Sequence, residues 1–128
     1  MTLFVLNYYD NNRPRDSIRV EHAKVLKTAL EKYRSARGKY PAPFLDNVIF
    51  DLKGELVDGG FLASMPQDPF WETSTGNQYR YVSADGTTYG LLFHLESADG
   101  KIPAGGKCLT GVGTAGTGWW GQPPDCPF

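Results

Sequence analysis

Only one stretch of this chain has the period of a long helix, and nearly everything after it is cut into short pieces by glycine and proline. Ile18, His22, Val25, Leu26, Ala29, Leu30, Tyr33 and Ala36 recur at spacings of three and four, which places them on one face of a helix. Glu21, Lys24, Lys27, Glu31 and Arg34 fall mostly on the opposite face, which reads as a solvated surface. Asp16 or Ser17 offers an N-cap, and Gly38 with Pro41 just beyond it offers a left-handed stop, so the spacing predicts a helix over about Asp16 to Arg37. The 15 Gly and 9 Pro are concentrated in the second half of the chain, which suits turns and ordered loops better than further helices.

Two later segments alternate with the period of a strand. Gln78 to Val82 and Thr87 to Glu96 are joined by Ser83-Ala-Asp-Gly86, in which Asp85-Gly86 is a strong hairpin signal. Tyr89, Leu91, Phe93 and Leu95 share one face of the second strand, and that face is expected to meet the apolar stripe of the helix. The order of elements therefore predicts an α+β domain, a helix laid on a small antiparallel sheet. Asp46 to Lys53 reads as a short second helix, and the stretch from Ser97 onward as a glycine-rich loop with one short edge strand around Trp119. Pro66 and Pro69 bracket Asp68, whose carboxylate is expected to accept bonds from nearby backbone amides in a tight turn.

At 128 residues the chain has room for one modest core, so residues 16–128 are expected to form a single domain. Residues 1–15 read either as the end of an upstream membrane anchor, with Tyr8 and Tyr9 at the level of an aromatic belt, or as an irregular segment packing on the domain. No run of about 20 apolar residues is present in the sequence itself. A formal net charge of -1 gives no electrostatic footprint for nucleic acid.

Motifs for catalysis are missing. His22 and His94 are the only histidines, and neither belongs to a metal-ligand spacing. His22 is expected in a core or interface, and His94, alternating away from Phe93 and Leu95, at the surface. There is no Gly-x-Ser-x-Gly elbow and no phosphate-cradling loop. The expectation is a protein that is not an enzyme and carries no organic cofactor.

Cys108 and Cys126 are the only cysteines, and the glycines and prolines between them bury too little to hold that segment in place. A disulfide between them would stabilise it by roughly 3 kcal/mol, and would place the domain outside the cytoplasm. Two unlinked thiols are the alternative. Trp119 and Trp120, adjacent on the same segment, either cover a small irregular core or present an aromatic face to a sugar or a protein partner.

The run Leu26 to Pro41, with its Gly38-Lys-Tyr-Pro41 ending, followed by Pro66-Gln-Asp-Pro69 and the strands above, resembles the soluble heads of type IV pilin-like proteins, especially the pseudopilins of type II secretion. The resemblance covers roughly Val20 to Cys108. It implies a structural subunit of a pilus or pseudopilus, whose partners are other pilin or pseudopilin subunits, secreted protein cargo, and the inner membrane through an upstream helix. It also implies a periplasmic or extracellular head, with Trp119, Trp120 and the loop from Ala42 to Asp58 turned towards neighbours. In the major pseudopilins a loop binds calcium. Here Ser97 and Asp99 match only part of that pattern, with no acidic residue from Ile102 to Gly121, and a disulfide-closed tail is the substitute the resemblance suggests. An extracellular or periplasmic binding module that recognises a glycan or protein through Trp119 and Trp120 is the opposing expectation.

Overall fold

A computed structural model describes residues 12–69, 79–96 and 105–110. Within them one helix, α1 (Asn12–Arg37), is followed by β1 (Phe44–Val48), a 3-10 turn (Ile49–Leu52), the one-turn helix α2 (Lys53–Leu56), and strands β2 (Arg80–Ser83), β3 (Gly90–Leu95) and β4 (Gly105–Thr110). The four strands form one antiparallel sheet in the order β1-β2-β3-β4, and α1 lies against β3. The domain is α+β.

Helix α1 starts earlier than its capping residues suggest. Asp16 and Ser17 lie inside it, after Asn12, Arg13 and Pro14 have formed the first turn. A proline is tolerated there because the first amides of a helix have no intrahelical acceptor. Gly38, at φ 87°, ends the helix in the left-handed region and donates its N–H to the Arg34 carbonyl at 2.7 Å. The Tyr40 N–H then bonds the Gly86 carbonyl at 2.9 Å, tying the helix exit to the β2–β3 connection. Gly86 sits at φ 85°, and a Cβ there would meet the Tyr40 carbonyl oxygen at 2.7 Å, so both conformation and space require glycine.

The buried stripe of α1 is rotated from the one that apolar spacing picks out. Val20, Ala23, Leu26, Ala29 and Leu30 are buried, and so are Asp16 and Arg19, whereas Ile18 and Val25 are 41% and 39% exposed and Ala36 is also exposed. The stripe turns because α1 buries a charged contact at its first turns, which moves the packed face away from Ile18 and Val25. Leu26 and Leu30 meet Tyr40, Leu52, Leu56, Tyr81, Leu91 and Phe93 in one core.

The segment expected as a helix from Asp46 is extended first, and the helical turns come only at Ile49–Leu56. Pairing with β2 decides it: Phe44 opposes Ser83 and Val48 opposes Arg80, with a bulge between Phe44 and Asn47 that holds Asp46 at φ 64°. An Asp tolerates that region better than most residues, and its carboxylate accepts from Arg80 Nε at 2.7 Å. Within the stretch expected as a glycine-rich loop, β4 pairs with β3 from Gly90↔Thr110 to Leu95↔Gly105, a pairing separate from the edge strand expected around Trp119. Trp119 lies outside the described residues.

Three tyrosines form the aromatic centre of the core. Tyr89 meets Tyr40 edge-on at 4.7 Å and stacks on Tyr81 at 5.9 Å. The Tyr40 hydroxyl donates to Glu31 Oε2 and that of Tyr81 to the Pro41 carbonyl, each at 2.8 Å. Among the described residues the Tyr89 hydroxyl is buried with no hydrogen-bond partner. A buried polar atom left unpaired carries its desolvation cost uncompensated, about 1–3 kcal/mol. Tyr89→Phe is therefore expected to leave the melting temperature unchanged or raise it, whereas Tyr81→Phe, which orphans the Pro41 carbonyl, lowers it; thermal unfolding of the two variants checks the contrast.

Candidate functional site

At one end of the sheet, two arginines of α1 meet three carboxylates from three parts of the chain. Arg19 donates from Nε to Asp68 Oδ2 at 2.7 Å and from an Nη to Asp68 Oδ1 at 3.0 Å, a bidentate pair. Its other Nη donates to Asp16 Oδ1 at 2.9 Å and to Glu96 Oε2 at 2.7 Å. Arg15 holds Glu96 in a second bidentate pair at 2.6 and 2.8 Å. The Glu96 backbone N–H donates to Asp16 Oδ1 at 2.8 Å, so Asp16 binds both the arginine and the end of β3.

The side chains of Arg19, Asp16 and Asp68 are fully buried. Burial opposes the charge on Arg19, but the hydrogen bonds from Asp68, Glu96 and Asp16 outweigh it and raise the guanidinium pKa above its ordinary value. The Arg15 hydrogen bonds, with those of Arg19, hold the Glu96 carboxyl down at about 2. The cluster fixes the first turns of α1, the Pro66–Pro69 turn and the end of β3 to one another. Asp68 and Glu96 each accept with both oxygens from guanidinium groups, which commits them to holding the fold together.

Asp68 is thus anchored by a residue 49 positions away in sequence, a long-range partner that the turn chemistry of Pro66 to Pro69 does not announce. Arg19 is the residue that sequence reasoning misses, because a lone arginine in a helix reads as surface. Its signal was the i,i+3 spacing to Asp16, which becomes informative only when a third acidic residue is brought to it.

Beside the cluster, His22 Nδ1 meets the Tyr79 hydroxyl at 2.9 Å, with the rings edge-on at 5.7 Å. Burial lowers the His22 pKa and raises that of Tyr79, which favours the neutral form of both rings in this pair. Tyr79 also lines an apolar cavity of about 360 Å³ with Val48, Ile49, Phe50, Pro66, Gln67 and Asp68. His94 is exposed on β3.

Of the residues singled out for function in the sequence, Cys108 is fully buried on β4. Its cross-strand partner is Leu92, so it faces away from the side that Phe93 presents to α1. Cys126, Ser97, Asp99, Trp119 and Trp120 lie outside the described residues. Among the described residues no group of three or more His, Cys, Asp or Glu side chains could hold a metal ion, and no helix is long and apolar enough to cross a membrane. Comparison with known protein families, with curated proteins and with solved structures returns no match for this chain.

Removing Arg19 takes away the guanidinium that faces the buried carboxylates of Asp16 and Asp68, at a cost of about 3–5 kcal/mol. Arg19→Met is expected to lower stability by that order in a denaturant titration, far more than the exposed Lys32→Met. Glu96 has a folded pKa depressed below its ordinary value of 4.5. Its contribution is complete above that ordinary value and is lost as pH falls through the folded pKa, so stability should decline from about pH 5 to pH 2. Glu96→Gln should flatten that decline, as measured by urea unfolding across the pH range.

Proposed function

We propose that this chain is the head of a pilin-like assembly subunit, working by contacts with other subunits and not by catalysis. The observation that carries the reading is the anchored turn. The chain runs from one helix through a Gly-Lys-Tyr-Pro exit and β1 to the Pro66-Gln-Asp-Pro69 turn, and Arg19 clamps that turn to α1 ahead of strands β2 to β4. A head built this way is a rigid body fastened to the side of its own helix, which suits a part that must keep one orientation in a polymer.

In this reading a membrane helix upstream of the head anchors the subunit in the inner membrane and packs among neighbours in a pilus or type II secretion pseudopilus. The head stands in the periplasm or outside the cell, where it touches other subunits and secreted cargo. No described cysteine is free, which supports a Cys108–Cys126 disulfide. That link would fasten the glycine-rich tail to the sheet face opposite α1, replacing a calcium ion as the element that orders it. Trp119 and Trp120 belong to this tail and would be carried with it to the subunit surface.

A top-down mass spectrum of the protein from its native membrane, taken without reductant, tests the reading. The expected result is a mature N-terminus lying about 20 to 25 residues upstream of Met1, so that the chain carries an apolar segment of bilayer-spanning length, together with the mass of one disulfide. A mature chain starting at Met1 with two free thiols overturns it.

A further inference from the structure

We infer that the exposed face of α1 and the ledge made by β1 and the 3-10 turn are the two halves of one contact between copies of this chain. The inference rests on the assembly reading above and names the surfaces through which the heads meet.

The charges of the described domain are sorted by region. From Lys24 to Lys39 six basic residues stand against the single acidic Glu31, whose carboxylate is engaged by the Tyr40 hydroxyl. From Phe44 to Asp58 four acidic residues stand against Lys53; Arg80 of β2 pairs with Asp46 and Lys53 lies 3.8 Å from Asp58, so Asp51 and Glu55 carry the acidic excess of this region. The chain as a whole carries a formal charge of only -1. Such segregation at near-zero net charge makes a second copy of the chain electrostatically complementary to the first.

Each region also has an apolar centre inside its charged rim. On α1, Val25 is 39% exposed between Lys24 and Lys32, in a shallow groove that reaches Leu62 and is bordered at one end by Glu21. On the ledge, Phe50 is 48% exposed beside Asp51 and forms one wall of the apolar cavity that Val48 and Pro66 also line. An apolar centre with a polar rim is the anatomy of a specific interface, and it is needed here because exposed charge pairs alone are weak. The basic and acidic surfaces are different patches of one chain. A contact joining them leaves one of each unused, so it can repeat from copy to copy.

Sedimentation of the 128-residue chain over a concentration series tests the contact. Self-association is expected in about 20 mM salt and should weaken at least about tenfold in about 500 mM, where the Debye length falls below the span of the rim. Lys24→Glu with Lys32→Glu, and separately Asp51→Lys with Glu55→Lys, should each lose association by a similar factor. Mixing the two variants should restore it, because their charges then oppose. Salt-insensitive association, charge reversals without effect, a failure of the mixed pair to associate, or binding of the basic face to anionic phospholipid vesicles while the chain stays monomeric would each overturn the inference. If the full-length protein forms filaments that both reversals leave intact, the contact falls and the assembly reading stands. If copies join through these faces while the mature chain carries no anchor, the contact stands and that reading falls.

Discussion

Arg19 is charged at any pH where this protein folds, and it is buried where α1, the Pro66–Pro69 turn and the end of β3 converge. An isolated buried guanidinium would cost several kcal/mol, so its position demands partners. Asp16 comes from one turn earlier in the same helix, while Asp68 and Glu96 are each brought in by a different part of the fold. The consequence is a steep penalty for any arrangement in which the turn or the strand end lies elsewhere. Apolar packing alone tolerates small slides and rotations of a helix on a sheet, but a bidentate guanidinium–carboxylate pair does not. The clamp therefore sets the rotation of α1, and through it which residues line the core and which remain outside.

That rotation has a visible outcome at Ile18 and Val25. Both belong by spacing to the apolar stripe, and both are left partly exposed because the helix turns Asp16 and Arg19 inward. A helix placed by hydrophobic burial alone would hide them. Their exposure leaves apolar area on a surface otherwise rich in lysine, and such area inside a charged rim suits a contact with another molecule.

The opposite end of the domain is held by different means. Gly38 stops the helix, Tyr40 bonds back to Gly86, and the aromatic cluster of Tyr40, Tyr81 and Tyr89 fills the space beneath. Here neutral hydrogen bonds and ring packing do the work that ion pairs do at the clamp. The Tyr89 hydroxyl, with no hydrogen-bond partner among the described residues, marks a place where packing has outweighed polar satisfaction. The His22–Tyr79 pair lies one helical turn beyond Arg19, joined by a 2.9 Å hydrogen bond and kept neutral by burial.

Local chemistry made several features legible in the sequence. The helical period up to Gly38 needs only the spacing of side chains and a residue free to take a positive φ. The alternation that puts Tyr89, Leu91, Phe93 and Leu95 on one face needs only the pleat of a strand. Other features depended on partners far along the chain. Phe44–Val48 became a strand because β2 was there to pair with it, although its residues also suit a helix. β4 formed at Gly105–Thr110, in a run whose glycines gave no strand signal, because β3 offered it an unpaired edge. Arg19 looked like a surface residue until Asp68 and Glu96 were folded against it. Sequence by itself determined where the chain could be helical or extended and where it had to turn, since those follow from each residue and its near neighbours. Only the tertiary structure decided which face of the helix was buried, since that follows from charges 49 and 77 positions apart that had to meet.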